Sequence, residues 1–315
     1  MSSFEKCLVI GYKGMVGSAI VRRMKERGLP PPVLASRAEL DCLDQVSVRE
    51  YIAKTNPASI VVAAAKVGGI EANRTQMAEF MYQNIMIAAN VIEAAARAKT
   101  PRLLFLGSSC IYPRVVPQPI RENELLSGML EPSNEGYAIA KIAGLKMCQY
   151  YRREYGLMFH SVMPTNLYGP GDSYHPEHSH VLPALIRKFE DARVSGAKKV
   201  TLWGTGSSLR EFLHTDDLAD AVLDVMRVDD PPDWVNVGSG EEVSIKQLAE
   251  MIRTATGADC EIEWDPTRPD GTPRKLLDCS LIRYYGWTPK ITLQNGLAKT
   301  ITDYRNEGAA GIRRG

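Results

Sequence analysis

Short apolar runs alternate with helix-period stretches through the first half of the chain. The runs "CLVIG" (7–11), "PVLAS" (32–36), "SIVVAAA" (59–65), "RLLFLGS" (102–108) and "HSVMPTN" (160–166) show no polar alternation, which is the pattern of strands covered on both faces. Between them, segments 15–27, 45–54, 77–98 and 137–155 place apolar residues at helical intervals. This alternation predicts right-handed βαβ units in a doubly wound parallel sheet, an α/β fold of the Rossmann type. Ligands in such a sheet lie beyond the carboxyl ends of the strands, so functional residues are expected just after each apolar run.

After Asn166 the pattern changes. "LYGPGDSYHPEHSH" (167–180) is rich in Gly, Pro and His, and an amphipathic stretch (181–194) and a short "VTLWG" (200–204) follow it. "REFLHTDDLADAVLDVM" (210–226) reads as a strand feeding a helix capped by Asp216 or Asp217, and "WVNVGSG" (234–240) as one more buried strand. From Ser244 on, two helical patterns flank the Pro-rich, basic loop "DPTRPDGTPRKLLD" (265–278). The expected division is a dinucleotide-binding domain over 1–166, rejoined by about 205–240, and a smaller, discontinuous α/β substrate lobe from 167–204 and 241–315.

Composition narrows the partners. Lys and Arg total 38 against 37 Asp and Glu, a balance that gives no electrostatic case for nucleic acid or an anionic membrane and favours a small molecule. The apolar run at 7–11 is too brief for a signal-peptide core or a membrane span, so a cytoplasmic protein is expected. Cys7, Cys42, Cys110, Cys148, Cys260 and Cys279 form no C-x-x-C pair, which indicates neither a disulfide framework nor a zinc knuckle. His175, His178 and His180 lack an acidic or Cys ligand at a metal-binding spacing, so no metal is expected.

Three groups of residues carry chemistry. Gly11, Gly14 and Gly17 form G-x-x-G-x-x-G directly after the first strand and open a helix, letting the backbone approach a pyrophosphate at the helix N-terminus. At the end of the second strand, where a free ribose 2′-hydroxyl usually meets an acid, stand Ser36 and Arg37. A guanidinium there suits a 2′-phosphate, and Lys13 adds a second cation, which favours NADP(H) over NAD. Tyr137 and Lys141 are four apart on a helix and share one face. An ammonium beside a phenol favours the phenolate, so the Tyr137 pKa is expected to fall from about 10 toward neutrality, as a general acid at a ketone or alcohol requires. Ser108, at the end of the fourth strand, can donate to the same oxygen. Cys110 follows in the same loop, either as a small buried hydrophobe or as a proton-transfer group.

With these motifs together, the chain resembles the extended short-chain dehydrogenase/reductases. Within them it is very similar to the GDP-L-fucose synthase family, the GDP-4-keto-6-deoxymannose 3,5-epimerase/4-reductases. The likeness runs through "GMVGSAIVRR", "AAAKVGGI", "NIMIAANVIEAA", "LGSSCIYP", "LEPSNEGYAIAKIAGLKMCQ", "PTNLYGPGD", "HPEHSHVLPALIRKF", "LWGTGSSLREFLHTDDLADA" and "RPDGTPRKLLD". It implies Ser108, Tyr137 and Lys141 as the reductase residues and Cys110 and His180 as the epimerase pair. It implies a cofactor site of Gly11, Tyr12, Lys13, Gly14, Met15, Val16, Gly17, Arg37, Asp41, Leu106, Gly107, Ser108, Lys141, Pro164, Thr165, Asn166, Leu167 and His180. Lys188, Trp203, Arg210 and Asp270 are implied around the GDP-sugar, and a homodimer is implied by helices of the length of 77–98 and 137–155. Lys13, Ser173 and Thr215 stand where this family more often has Arg, Asn and Val; none of them removes an implied catalytic group.

The resemblance also accounts for the thiol. A keto group at C4 of a hexose acidifies C3 and C5, because deprotonation gives an enolate with its charge on O4, where Ser108 and Tyr137 aim their donors. Cys110 and His180 then supply base and acid, since a thiol's ordinary pKa of about 8.5 drops beside an imidazolium or Lys. Two neighbouring activities remain open on sequence: reduction of another nucleotide 4-keto sugar without epimerisation, and a non-catalytic NADPH-binding protein. A 4,6-dehydratase would carry Asp-Glu where Ser109 and Cys110 follow Ser108.

Overall fold

The computed structural model describes residues 4–176, 179–268 and 270–307. Its first half runs β1 (Cys7–Ile10), α1 (Met15–Glu26), β2 (Val33–Leu34), α2 (Gln45–Thr55), β3 (Ser59–Val62), α3 (Ile70–Thr75), α4 (Met77–Arg97), β4 (Arg102–Leu106), α5 (Glu135–Tyr155) and β5 (Met158–Pro164). The second half runs β6 (Asn166–Tyr168), α6 (Val181–Ser195), β7 (Lys199–Trp203), β8 (Leu209–His214), α7 (Thr215–Val225), β9 (Trp234–Val237), β10 (Glu242–Ser244), α8 (Ile245–Thr256), β11 (Glu261–Asp265), β12 (Arg274–Lys275), α9 (Ser280–Tyr284) and α10 (Leu293–Glu307).

The main sheet has the order β2-β1-β3-β4-β5-β9, with every neighbouring pair parallel. Successive side chains on a strand point to opposite faces, and here both faces are apolar. Val9, Val61, Leu104 and Val162 pack into one core with Ile20 and Met24 of α1 and Leu218 and Val222 of α7. Leu8, Ile60, Phe105 and Phe159 pack into another with Ile52 of α2 and Val91 and Ile92 of α4. Continuous apolar runs therefore mark the strands, and the expected doubly wound sheet is present. Arg23 of α1 and Arg27 at its C-cap reach Asp220 and Asp224 of α7, 2.9 and 2.6 Å away, and fix that helix pair.

A third core lies in the lobe, where Leu185, Ile186 and Phe189 of α6 meet Leu202, Phe212, Leu248 and Ile252. Strand β8 belongs to this lobe and not to the main sheet. Its first half lies between β10 and β12 and its last residues pair with β6. The expected return to the main sheet thus starts at α7 rather than near residue 205. The apolar pattern could not reveal this, because "LREFLH" takes its neighbours from segments far along the chain. The cap of α7 also differs from expectation: the His214 ring accepts from the Asp216 amide at 3.2 Å. Asp217 instead accepts the backbone N–H groups of Lys290 and Ile291, at 3.1 and 2.8 Å. Leu277, Cys279, Ile282 and Trp287 rejoin the main core, so a short C-terminal stretch crosses back to the main sheet. Among the described residues no helix is long and apolar enough to cross a membrane.

Candidate active site

The glycine turn after β1 divides its labour. Gly11 has φ +86°, and a Cβ there would fall 2.6 Å from the Ala64 nitrogen; a Cβ at Gly17 would fall 2.2 Å from the Gly11 carbonyl. Both positions are fixed by the close approach of β1, β3 and α1. Gly14 is exposed and under no such constraint, with its nearest neighbour 3.4 Å away. It is the N-cap of α1 and carries no side-chain cap, so the first N–H groups of the helix are not capped by that residue, which leaves the donor set a pyrophosphate needs. Lys13 is exposed, with its ammonium 5.7 Å from the centre of the Tyr12 ring, and Met15 and Val16 begin the helix. Arg37 is exposed after β2. Beside it, the Ser36 N–H and hydroxyl donate to Glu39 at 2.8 and 2.7 Å, and Asp41 accepts from the Leu43 amide at 3.1 Å.

Leu106 and Gly107 lie at the carboxyl end of β4, Pro164 at that of β5, and Thr165, Asn166 and Leu167 just beyond. The sequence-based cofactor residues from β1, β2, β4 and β5 therefore share one edge of the parallel sheet. With its glycine cradle and the cations Lys13 and Arg37, this edge fits a dinucleotide bearing an extra phosphate.

At the same edge stand Ser108, Cys110, Tyr137 and Lys141. Ser108 accepts from the Cys110 amide at 3.2 Å, opening a single 3-10 turn over Ser109–Ile111. Helix α5 carries Tyr137 in its first turn and Lys141 one turn later. It approaches β4 closely because Gly144 has no side chain: a Cβ there would sit 2.6 Å from the Phe105 ring. Lys141 is buried, donates to the Leu106 carbonyl at 2.8 Å, and lies 4.8 Å from the centre of the Phe105 ring and 5.7 Å from that of Tyr137.

The expected fall in the Tyr137 pKa is not seen in the chain by itself. Burial and the charge of Cys110 hold the phenol well above its usual range, against a smaller opposing pull from the Ser108 hydroxyl. Burial pushes the Lys141 ammonium down to about 8, with Cys110 acting the other way. The reason is geometric: desolvation acts on both groups, and the ammonium is bonded to a backbone carbonyl.

The other residues are distributed over the lobe. His180 is the N-cap residue of α6 and is solvent-exposed, and desolvation by the surrounding protein lowers its imidazole pKa. Among the described residues no cluster of His, Cys, Asp or Glu is arranged to hold a metal, and His178 lies outside them. Lys188 donates to the Thr201 carbonyl at 3.0 Å. Trp203 is 57 % exposed. Arg210 is half-buried, and burial lowers its pKa against the pull of Asp270. The Asp270 carboxylate accepts from the Thr205 N–H at 2.7 Å and the Thr205 hydroxyl at 2.8 Å. It thereby pins the turn at Gly204 (φ +76°), whose Cβ would collide with it.

Three residues escaped sequence reasoning. The Asn134 amide donates to the Cys110 sulfur at 3.3 Å, the Lys275 ammonium lies 3.9 Å from the same sulfur, and the Arg268 guanidinium sits 5.0 Å from the centre of the Trp203 ring. Asn134 stands three positions before Tyr137, and both cations lie in the basic loop 265–278; that loop was the only signal available for them.

A family model described as the NAD dependent epimerase/dehydratase family matches residues 7–238. GDP-L-fucose synthase 1 of Arabidopsis thaliana is 52% identical over 299 residues, covering 95% of this chain and 93% of that protein. GDP-L-fucose synthase of Escherichia coli (strain K12) is 48% identical, covering 95% and 96%. Among solved structures, a GDP-D-glycero-L-gluco-heptose synthase from Campylobacter jejuni, determined in the presence of NADPH, superposes with a TM-score of 0.90 at 32% identity, covering 97% of this chain and 99% of that one.

Proposed function

Because this chain belongs to the NAD dependent epimerase/dehydratase family, we propose that its active site converts GDP-4-keto-6-deoxy-D-mannose to GDP-L-fucose, by epimerisation at C3 and C5 and then NADPH-dependent reduction at C4. The observation that carries this reading is a thiol, Cys110, in the turn that follows β4, its amide bonded to the Ser108 hydroxyl at 3.2 Å, at the strand end where Lys141 donates to the Leu106 carbonyl. A ketoreductase has no use for a thiol; an epimerase has. The GDP-L-fucose synthases at 48% and 52% identity support the same substrate.

The chain's own groups divide the work. One of Cys110 and His180 takes the proton from C3 or C5, the C–H electron pair passes into the enolate, and its charge settles on O4. Ser108 and Tyr137 donate to that oxygen, and the other member of the pair returns a proton to the opposite face. Epimerisation comes first, since reduction removes the carbonyl that acidifies both carbons. Bound NADPH supplies hydride to C4. Tyr137, held protonated by its buried setting, gives its proton to O4, and the glycine turn, Lys13 and Arg37 bind the phosphates. Lys188, Trp203, Arg210 and Asp270 line the GDP-sugar side, with Asp270 ordering the turn beside Trp203.

The same reading places the enzyme in the cytoplasm as a homodimer. Its support is six unpaired thiols and the exposed Tyr82, Tyr150 and Tyr155 on α4 and α5, and sedimentation analysis checks the assembly. The test of function is product analysis by NMR after incubation with the keto sugar and NADPH. GDP-L-fucose is expected, with deuterium at C3 and C5 when the reaction is run in heavy water. Tyr137→Phe should lower reduction by a factor of about 10² to 10⁴ and leave NADPH affinity nearly unchanged. A product with unaltered C3 and C5 would reduce the activity to a plain 4-ketoreductase.

A further inference from the structure

The sulfur of Cys110 has two donors that the scheme above does not use, the Asn134 amide at 3.3 Å and the Lys275 ammonium at 3.9 Å. They come from different parts of the fold. Asn134 directly precedes α5, whereas Lys275 lies on β12 in the lobe, 165 residues along the chain from the thiol. Neither arrangement follows from local sequence.

The backbone around Lys275 is held firmly. The next two amides are bonded, Leu276 to the Gln118 side chain at 2.9 Å and Leu277 to the buried Glu211 carboxylate at 3.1 Å. The neighbouring Arg274 is paired with Glu242 at 2.7 Å. Among the described residues no carboxylate lies within ion-pair distance of the Lys275 ammonium, which is half-buried and directed at the sulfur. Tyr137 and Lys141 of α5 feel the charge of Cys110, but the Lys141 ammonium is given to the Leu106 carbonyl at 2.8 Å, so the Lys275 ammonium is the charge in contact with the sulfur. A phenol held protonated adds no negative charge. One ammonium, from Lys275, and one amide N–H, from Asn134, therefore meet the sulfur.

From this geometry we infer that Lys275 is a positioning residue for epimerisation: together with Asn134 it meets the Cys110 sulfur, so that the lobe supplies the positive charge that favours Cys110 as the base. The inference rests on the epimerase reading above. An opposite charge within about 4–6 Å favours the ionised form by about one to three pH units, so removing it should move a pH profile and not only a rate. The rival role for Lys275 is contact with the substrate diphosphate, because Lys275 pairs with Arg210 in the β8–β12 ladder; that role would alter substrate KM and leave the pH profile in place.

The test uses the full chain and two readouts. Alkylation of Cys110 by iodoacetamide is followed by peptide mass spectrometry from pH 5 to 10, and deuterium exchange at C3 and C5 of saturating keto sugar is followed over the same range without NADPH. In Lys275→Met, half-maximal alkylation should move up by about one unit or more, with an approximately tenfold slower reaction at pH 7. Exchange should fall by a similar factor at pH 7 and recover near pH 9. Lys275→Arg should restore most of both, and unchanged NADPH affinity establishes that the variants fold. Identical alkylation profiles for wild type and Lys275→Met would overturn the inference, as would a raised KM for the keto sugar with an unshifted exchange profile. Absence of exchange in the wild type would refute the epimerase reading itself, while the alkylation profile, which needs no substrate, still decides whether Lys275 governs the thiol.

Discussion

Lys141 is 4 % exposed, and burial brings its ammonium down to about 8. Its ordinary value is about 10.4, so between pH 8 and 10.4 the folded chain binds fewer protons than the unfolded chain, and stability from this group rises with pH across that window. Below pH 8 the buried charge costs about 3 kcal/mol by the same linkage. Lys141→Met removes that cost but also leaves the Leu106 carbonyl without its donor, a loss of about 1 to 3 kcal/mol. The predicted observable is a difference of differences. In urea unfolding without cofactor, wild type should gain about 2 kcal/mol relative to Lys141→Met between pH 7.5 and 10; a gap that does not change with pH would show that Lys141 is not titrating there. The spacing of Tyr137 and Lys141 was legible because residues four apart share a helix face. The direction of the Tyr137 shift was not, since it depends on how much water the fold excludes. Lys275 was not legible as a partner of Cys110 for a related reason: it arrives from a different sheet, 165 residues along the chain, and no short-range pattern records that meeting.

At the scale of elements, the seating of α5 against β4 places the reductase pair. Gly144 allows it, and in Gly144→Ala the new Cβ would stand 2.6 Å from Phe105 and 3.0 Å from Ala88, both buried. The Phe105 ring is packed in the core against α4 and Phe159, so α5 must move outward. Overpacking of this kind costs about 1 to 3 kcal/mol, partly offset by about 1 kcal/mol of better helix propensity. A displaced helix carries Tyr137 and Lys141 away from the sheet edge. The expected result is a fall in kcat of about tenfold or more with a smaller change in unfolding free energy; unchanged kcat would mean that the ring, not the helix, gives way. Strands and helices of the first half were readable because each fills one layer of a two-faced sheet, where the apolar pattern and burial agree. Strand β8 was misplaced because its sequence, LREFLH, reports that the segment is extended and partly buried, while sheet membership depends on β6, β10 and β12.

Over the whole molecule, the chain passes between sheet and lobe beside one buried carboxylate, Glu211. Its side chain accepts from the Gly240 N–H at 2.7 Å, just past β9, and from the Leu277 N–H at 3.1 Å, just past β12. Its carbonyl accepts from the Thr165 hydroxyl at 3.3 Å and the Asn166 amide at 2.8 Å, where β5 gives way to β6. A Cβ at Gly238 would collide with the carboxylate at 2.2 Å, so the crossing is packed as well as bonded. In Glu211→Gln the amide NH₂ must face one of the two backbone N–H groups, leaving a buried donor unpaired at a cost of about 1 to 3 kcal/mol. Burial raises the Glu211 pKa above the ordinary glutamate value, the amides only partly opposing it. A carboxyl raised in the folded state binds its proton before the unfolded chain does, so its contribution to stability grows as pH falls from the raised value toward about 4.3, and is lost as pH rises. Glutamine has no such term. The stability gap between wild type and Glu211→Gln should therefore widen between pH 7 and pH 5, and KM for the GDP-sugar should rise several-fold because Arg210 and Lys275 flank the loosened crossing. NADPH affinity, set on the sheet edge, should stay nearly constant. Urea unfolding at the two pH values and cofactor titration decide the matter: a gap that narrows toward pH 5 would mean that Glu211 is stabilised as the anion by its amides, and the crossing would then be held by charge rather than by hydrogen-bond geometry.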